Sequence, residues 1–177
     1  SATSLRDAVR MAIADVLLLA QARDINVGVV KDDDVSIYLP HDELVVLARN
    51  LIDNAVKYTP GPGRVDVAIR LHATTLPPGD GPTAPAPSSL AAAQASAAIL
   101  TVDDSGPGIA AADRERVFDR FYRASDATGV GSGLGLAIVK AIADRHGATI
   151  VLDRSPSLGG LRVQVSFPLP DAASRPR

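Results

Sequence analysis

The sequence predicts an α/β (α+β) two-layer sandwich, in which a mixed sheet of about five strands carries three main helices on one face. Segments with helical periodicity and segments with alternating apolar residues follow one another in mixed order, without a strict βαβ repeat. The length of 177 residues suits one domain. Hydrophobic residues make up 46% of the chain and aromatic residues only 3%, so Ala, Val, Leu and Ile must fill the core.

Composition excludes several classes of function. The net charge is −2 and no block of basic residues occurs, so the sequence shows no nucleic-acid footprint. The absence of cysteine excludes disulfides, cysteine-ligated zinc and a thiol nucleophile. No apolar run approaches the roughly 20 residues that a membrane helix needs. Because the chain begins with Ser1 rather than Met, we expect it to be a fragment of a longer protein.

The first third of the chain predicts one helix and two short strands. Residues 5–23 have apolar side chains at i, i+3 and i+4 spacing, and Ser4 is a candidate N-cap. Residues 26–30 and 35–39 are short β-branched runs separated by an acidic loop at residues 31–34. This pattern predicts a β-hairpin with a solvated loop.

A second helix is predicted from Pro40 to about residue 58. At about 100° per residue, Asn50, Asn54 and Lys57 fall within an arc of roughly 60° beside the apolar face. The amides could cap or satisfy core groups, with Lys57 as a solvated cation at the end of the helix. Because amide oxygens suit Mg²⁺ and a lysine suits phosphate, we favour a functional stripe.

The middle of the chain predicts two strands around an insertion. Residues 64–75 alternate, with Val65, Val67, Ile69 and Leu71 on one face. Residues 76–98 are rich in Pro, Ala and Ser, which predicts a flexible insertion. A strand at residues 98–103 then leads into Asp104-Ser-Gly-Pro-Gly, which could be simple turn chemistry.

The last third predicts two helices, two strands and a tail. Helices are expected at residues 110–118 and 134–146, and strands at residues 149–153 and 161–167 with a turn between them; the tail is residues 171–177. Four glycines precede or begin the helix that starts near residue 134: Gly129, Gly131, Gly133 and Gly135. Glycines that run into a helix start are typical of a phosphate cradle, because the first N–H groups are unpaired there.

Four segments, in order, resemble the motifs of sensor histidine kinases. R-N-L-I-D-N-A-V-K-Y-T at residues 49–59 resembles the N box, and D-S-G-P-G-I at residues 104–109 the G1 box. R-V-F-D-R-F-Y-R at residues 116–123 resembles the F box, and G-S-G-L-G-L-A-I-V-K at residues 131–140 the G2 box. The resemblance implies the catalytic and ATP-binding domain, with the Bergerat-type fold shared by gyrase, mismatch-repair ATPases and heat-shock chaperones.

The resemblance implies roles for the N and G1 boxes. Asn54 would bind Mg²⁺, and Asn50 would lie near the phosphates or the metal shell. Lys57 would contact phosphate and Tyr58 would pack on adenine. Asp104 would accept a hydrogen bond from the adenine amino group, while the remaining G1 residues would let the backbone approach and line the pocket: Gly106, Gly108 and Ile109.

The resemblance also implies an ATP lid at about residues 119–132. Phe118 and Phe121 would be its hinge and anchor, and Arg123 a contact to phosphate or to the transferring group, although Arg123 could equally be a surface charge. The phosphates would be wrapped by the second glycine motif: Gly131, Gly133, Leu134 and Gly135.

We therefore expect residues 1–170 to form a histidine kinase catalytic domain that takes ATP and Mg²⁺. Its partners would be a dimerisation domain with the phosphoacceptor histidine, and a response regulator, without nucleic acid or membrane contact. None of His41, His72 and His146 fits the acceptor pattern. We expect a monomeric fragment, on the cytoplasmic side, of a homodimeric, inner-membrane-anchored sensor. The alternatives are a same-fold ATPase or anti-sigma-type serine kinase, which would carry Glu at position 50, and a non-catalytic docking module.

Overall fold

Within the described part of the chain, a five-stranded mixed sheet covered by three helices forms the fold, as predicted. The computed structural model describes residues 2–73, 95–119 and 134–170. The helices are α1 (Leu5–Ala22), α2 (His41–Tyr58) and α3 (Gly135–Arg145). The strands are β1 (Thr3–Ser4), β2 (Ile25–Asp32), β3 (Ser36–Ile37), β4 (Gly63–Ala73), β5 (Ala95–Asp104), β6 (Thr149–Arg154) and β7 (Leu161–Pro168).

The main sheet has the strand order β2-β4-β5-β7-β6. The β2–β4 pair is parallel and is joined through α2, whereas the other three pairs are antiparallel. Along β4, Val65, Val67 and Ile69 are fully buried in one core with the inner faces of α1, α2 and α3. Leu71 continues the alternation but is 42% exposed, so the core ends before it.

The N-terminus of α1 and the start of α2 follow the predicted signals. The Asp7 backbone N–H donates to Ser4 Oγ at 3.3 Å, so Ser4 is the predicted N-cap. Pro40 precedes the first helical residue of α2, whose first turn carries Asp42 and Glu43.

The predicted hairpin of residues 26–30 and 35–39 is wrong. β2 pairs with β4 over the register from Ile25–Gly63 to Asp32–Ile69, while β3 pairs with β1 in a separate two-stranded sheet. Asp33 extends the contact with β4, because its N–H donates to the Ile69 carbonyl and its carboxylate accepts from the Leu71 N–H at 2.9 Å. The long alternating strand β4 thus provides β2 with a better partner than the short run after the loop.

The predicted helix at residues 110–118 is also wrong. Two short 3₁₀ turns, Ala111–Asp113 and Arg116–Phe118, occupy this segment. Val117, which is 6% exposed, is the one buried residue of the two turns. A segment this short with so little apolar surface cannot offset the cost of helix nucleation.

Two further findings concern the rest of the chain. Within the described residues, no helix has both the length and the apolar character needed to cross a bilayer. The predicted insertion at residues 76–98 is wrong at its end, because residues 95–98 belong to β5. The rest of the insertion, the lid at about residues 119–132 apart from residue 119, and the tail at residues 171–177 lie outside the described residues.

The core makes a first prediction about stability. Leu47 of α2 is 0% exposed, so Leu47→Ala should lower the free energy of unfolding by about 2–5 kcal/mol through lost burial and a cavity. Leu18→Ala is the matched control, because Leu18 of α1 is 81% exposed and its loss should cost less than about 0.5 kcal/mol. Urea unfolding measures the free energy of unfolding of both variants. Equal losses in the two would contradict the burial of α2 in the core.

Candidate nucleotide-binding site

Three segments distant in sequence meet at one end of the sheet. The loop after β5 packs on the end of α2, since a Cβ placed on Gly106 would lie 2.8 Å from the Tyr58 carbonyl oxygen and 3.3 Å from Thr59 Oγ1. The first residue of α3 approaches the middle of α2, since a Cβ on Gly135 would lie 3.5 Å from Asn50 Oδ1. The predicted N-box, G1 and G2 segments therefore surround one region.

The stripe on α2 presents free amide oxygens. Asn50 Nδ2 donates to the Val46 carbonyl at 2.7 Å, and this bond fixes the amide with Oδ1 towards α3. Asn54 is half-buried, and its side-chain amide has no hydrogen-bond partner among residues 2–73, 95–119 and 134–170. The Asn54 amide therefore does not serve as a hydrogen-bond partner for a polar group of the described core.

Lys57 lies on the same stripe and is already paired. Its Nζ is 2.8 Å from Asp53 Oδ2, and both side chains are 29% exposed. An ammonium has three N–H donors, so one ion pair leaves donors for a further anion. Tyr58, next to it, is half-buried at the end of the helix.

Asp104 ends β5 as a carboxylate that is only 5% exposed. One oxygen, Oδ1, accepts from the Gly106 N–H at 3.0 Å and from the Leu161 N–H at 3.0 Å. The other oxygen, Oδ2, has no hydrogen-bond partner among the described residues. In that part of the chain, every fully buried side-chain oxygen has a hydrogen-bond partner, so Oδ2 must be accessible to solvent. The arrangement leaves one oriented acceptor for a ligand.

Burial raises the pKa of the Asp104 carboxyl, because a low-dielectric environment disfavours the charged form. The hydrogen bonds from Leu161 and Gly106 oppose this shift, and the charge of Asp103 adds to it. Asp103 itself points to the other face, where Arg162 Nε and Nη2 donate to its two oxygens at 2.8 and 2.9 Å. The two neighbouring aspartates therefore have different surroundings.

Gly160 is a site residue that the sequence reasoning missed. A Cβ there would overlap both Oδ1 and the carbonyl oxygen of Asp104, and would lie 2.7 Å from the Gly106 nitrogen. The Gly160 N–H also donates to the Asp104 carbonyl at 3.1 Å. The pair Gly159-Gly160 directly before a strand was the available signal, but it was interpreted only as a turn.

The remaining predicted residues divide into two groups. Gly108 has a φ of 76°, which favours glycine, and Ile109 and Phe118 are partly buried against the core. Leu134 precedes the first turn of α3 and provides no side-chain cap, so no described side chain occupies the first N–H groups of that helix. The other four predicted residues lie outside the described residues: Phe121, Arg123, Gly131 and Gly133.

The raised pKa of Asp104 predicts a pH-dependent effect of Asp104→Asn. The folded wild-type protein holds this proton more tightly than the unfolded chain, whose carboxyl has a pKa of 3.8. The resulting stabilisation is complete below the unfolded pKa and is lost as the pH rises through the raised folded pKa. The Asn variant keeps the accepting oxygen but has no proton to lose, so its stability relative to wild type should rise across that window and then level off. Urea unfolding from pH 4 to 8 measures this difference, and a constant difference would contradict it.

Gly160→Ala should disturb Asp104 directly. We expect the overlap to cost about 1–3 kcal/mol of unfolding free energy and to shift the amide resonances of Gly106 and Leu161. Gly28→Ala in β2 is the matched control, because no atom lies within 4 Å of a Cβ at that position. Urea denaturation measures the unfolding free energy of both variants, and NMR spectra report the amide resonances of Gly106 and Leu161. If Gly160→Ala and Gly28→Ala gave the same values, Gly160 would have no special role beside Asp104.

Comparisons with known proteins agree with this geometry. Residues 40–171 match the family described as histidine kinase-, DNA gyrase B-, and HSP90-like ATPase. The sensor protein kinase PmrB of Pseudomonas aeruginosa is 35% identical over 136 residues, which cover 75% of this chain and 24% of that protein. The chain spans between 22% and 31% of the length of the first curated relatives that it matches.

Solved structures give the same result. The mycobacterial sensor histidine kinase MprB is 26% identical with a TM-score of 0.75, over 95% of this chain and 97% of that one. The ATP-binding domain of PrrB from Mycobacterium tuberculosis is 25% identical with a TM-score of 0.68, over 96% and 97%. The predicted resemblance and fold class are thus confirmed, and the chain belongs to the histidine kinase-, DNA gyrase B- and HSP90-like ATPase family as an ATP-binding domain of the sensor histidine kinase type.

Proposed function

We propose that this domain binds ATP with Mg²⁺ and donates the γ-phosphoryl group to a histidine on a separate dimerisation domain, for relay to an aspartate of a response regulator. The observation that carries the proposal is the Asp104 carboxylate, fixed through Oδ1 by two backbone N–H groups and open at Oδ2. An oriented acceptor in a shielded site complements the exocyclic amino group of adenine. Gly106 lets the loop that carries this acceptor pack closely on the end of α2, because a Cβ there would lie 2.8 Å from the Tyr58 carbonyl oxygen.

The residues around α2 fit a magnesium ion that is shared with phosphates. The described residues contain no cluster of three or more His, Cys, Asp or Glu side chains that could hold a metal. Mg²⁺ bound with substrate phosphates needs only one or two protein oxygens, and the unpartnered Asn54 amide and Asn50 Oδ1 supply that number. The ion would neutralise phosphate charge, and Asn54 is the residue we assign to hold it.

Donors for the phosphates come from the other side of the site. The N-terminus of α3 has N–H groups that no described side chain caps, and a helix start attracts anions. Lys57 adds a cation near the end of α2, where its Nζ is paired with Asp53. Gly131, Gly133 and Arg123 remain predicted contacts from the lid segment.

Transfer requires an acceptor from outside the domain. An imidazole nitrogen would form the bond to the γ-phosphorus while the bond from phosphorus to the bridging oxygen breaks, and ADP would leave with that electron pair. His41 begins α2, about 25 Å from Tyr58 at its other end. His146 follows α3 and contacts Glu43 at 2.9 Å, and His72 lies on β4 some seven residues beyond Val65, the partner of Asp104. The three histidines therefore lie away from the site.

Two alternatives remain for the same site. A water- or hydroxyl-activating enzyme needs a base at residue 50, and the Asn50 amide cannot act as one. A non-catalytic module would bind nucleotide in the same way but transfer nothing. We further propose that the domain lies on the cytoplasmic side of a membrane-anchored, homodimeric sensor and is itself monomeric.

Calorimetric titration with ATP and Mg²⁺ tests the site. We expect Asp104→Ala to weaken binding by at least about tenfold, because it removes a hydrogen bond to a charged acceptor. Asn54→Ala should remove the Mg²⁺ dependence of binding. Asp103→Ala and Asn26→Ala are matched controls, because Asp103 lies on the opposite face and Asn26 on the edge strand β2.

Two outcomes would contradict the proposal. If the folded wild-type domain does not bind ATP with Mg²⁺, the glycine motifs are structural. If it binds, but the full-length parent chain forms no acid-labile, base-stable label from γ-labelled ATP, the docking-module alternative replaces phosphoryl transfer.

A further inference from the structure

The last turn of α2 carries the residues nearest the site, and its C-cap side chain satisfies one of the final carbonyls of the helix. Thr59 at the C-cap is extended, with φ −101° and ψ 122°, and its hydroxyl donates back to the Ala55 carbonyl at 2.7 Å. The final carbonyls of a helix have no partner within the helix and need one from elsewhere. Here the partners of Val56 and Lys57 come from another element.

Arg23, the residue that ends α1, supplies both partners. Its Nε donates to the Val56 carbonyl at 3.2 Å and its Nη2 to the Lys57 carbonyl at 2.7 Å. A guanidinium stays charged and presents several N–H groups in a rigid fork, so one side chain can satisfy two carbonyls. Its charge also faces the negative end of the α2 dipole.

The backbone around Arg23 holds the chain that follows α2. A Cβ on Gly61 would overlap the Arg23 carbonyl oxygen, so glycine permits close contact there. The Gly63 N–H donates to the Asp24 carbonyl at 3.0 Å, and the β2–β4 pairing begins at Ile25 and Gly63. The end of α2 is thus held by the Arg23 side chain and, directly afterwards, by the Arg23–Asp24 backbone.

We propose that Arg23 is a positioning residue for the nucleotide site: it holds the last turn of α2 so that Asn54, Lys57 and Tyr58 keep their binding geometry. The inference rests on the proposed function, because it assigns these three side chains to the nucleotide. Without Arg23, the Val56 and Lys57 carbonyls lose their donors. Lys57 and Tyr58, which are half-buried, can then fray, while Val56 and the rest of α2 stay fixed by core contacts.

Arg6 provides a matched control on the same helix. Its Nε donates to Asp32 Oδ1 at 2.8 Å and its Nη2 to the Asp32 carbonyl at 3.0 Å, so it also joins α1 to another element through two bonds. It lies about 25 Å along α1 from Arg23. Arg6→Met and Arg23→Met therefore remove similar interactions at opposite ends of α1.

The test measures amide hydrogen exchange at residues 57 and 58 and the Kd for ATP with Mg²⁺ in Arg23→Met, Arg23→Lys and Arg6→Met. We expect Arg23→Met to accelerate exchange there and to raise the Kd, each about tenfold, and Arg6→Met to change either by less than about twofold. Arg23→Lys should be intermediate, because an ammonium restores the charge but not the fork.

The outcomes separate this inference from the proposed function. If wild type binds ATP but Arg23→Met and Arg6→Met alter exchange and Kd alike, Arg23 has only a general structural role and the inference is overturned. Local acceleration of exchange with an unchanged Kd overturns it as well. If wild type does not bind ATP, the proposed function fails first, and the positioning role fails with it.

Discussion

The arrangement of the site depends on the two hydrogen bonds that Asp104 Oδ1 accepts. A carboxylate that is 5% exposed is costly to bury, and two backbone N–H groups reduce that cost. The donors belong to the loop after β5 and to the start of β7, so both segments must meet at this oxygen. Gly106 and Gly160 make the meeting possible, because a side chain on either would enter the same space.

Helix α2 connects this point to the core. Its buried side holds Leu44, Leu47 and Leu51 at no more than 1% exposure, and such a tightly packed side fixes the rotation of the helix. The orientation of Asn50 and Asn54 then follows from helical geometry, since both lie on the neighbouring side. The same burial that stabilises the fold therefore also directs the amides towards the site.

Periodicity predicted the regular elements well. The bounds predicted for α1, α2, α3, β6 and β7 all lie within one residue of those observed, and Pro40, where α2 was predicted to begin, proves to be its N-cap. The error at residues 26–39 arose where local sequence competes with a non-local partner, whereas the error at residues 110–118 arose because that segment has too little apolar surface to sustain a helix. Nothing near residue 35 indicates that β1 is its partner, and nothing near residue 25 indicates β4.

The sequence motifs proposed residue types for the candidate site but could not indicate which of their atoms are already engaged. The motifs identified Asn50, Lys57 and Asp104, yet only coordinates show that Asn50 Nδ2 is engaged by Val46 and Lys57 by Asp53. Gly160 and Arg23 escaped detection because their partners are distant in sequence: the glycine is 56 positions from Asp104 and the arginine more than 30 from the carbonyls it holds. Contacts of this kind leave no periodic pattern along the chain.

The atoms left without partners among the described residues support the proposal that the ligand carries both an amino group and a magnesium-bound phosphate. After internal bonds are formed, α2 and β5 present oxygens: Asn50 Oδ1, the Asn54 amide oxygen and Asp104 Oδ2. Oxygens suit a cation or an N–H donor and repel a bare phosphate. The start of α3 and Lys57 present N–H donors, which suit an anion. ATP with Mg²⁺ combines an amino group, a divalent cation and phosphates in one ligand, so it can satisfy both sets of protein atoms at once.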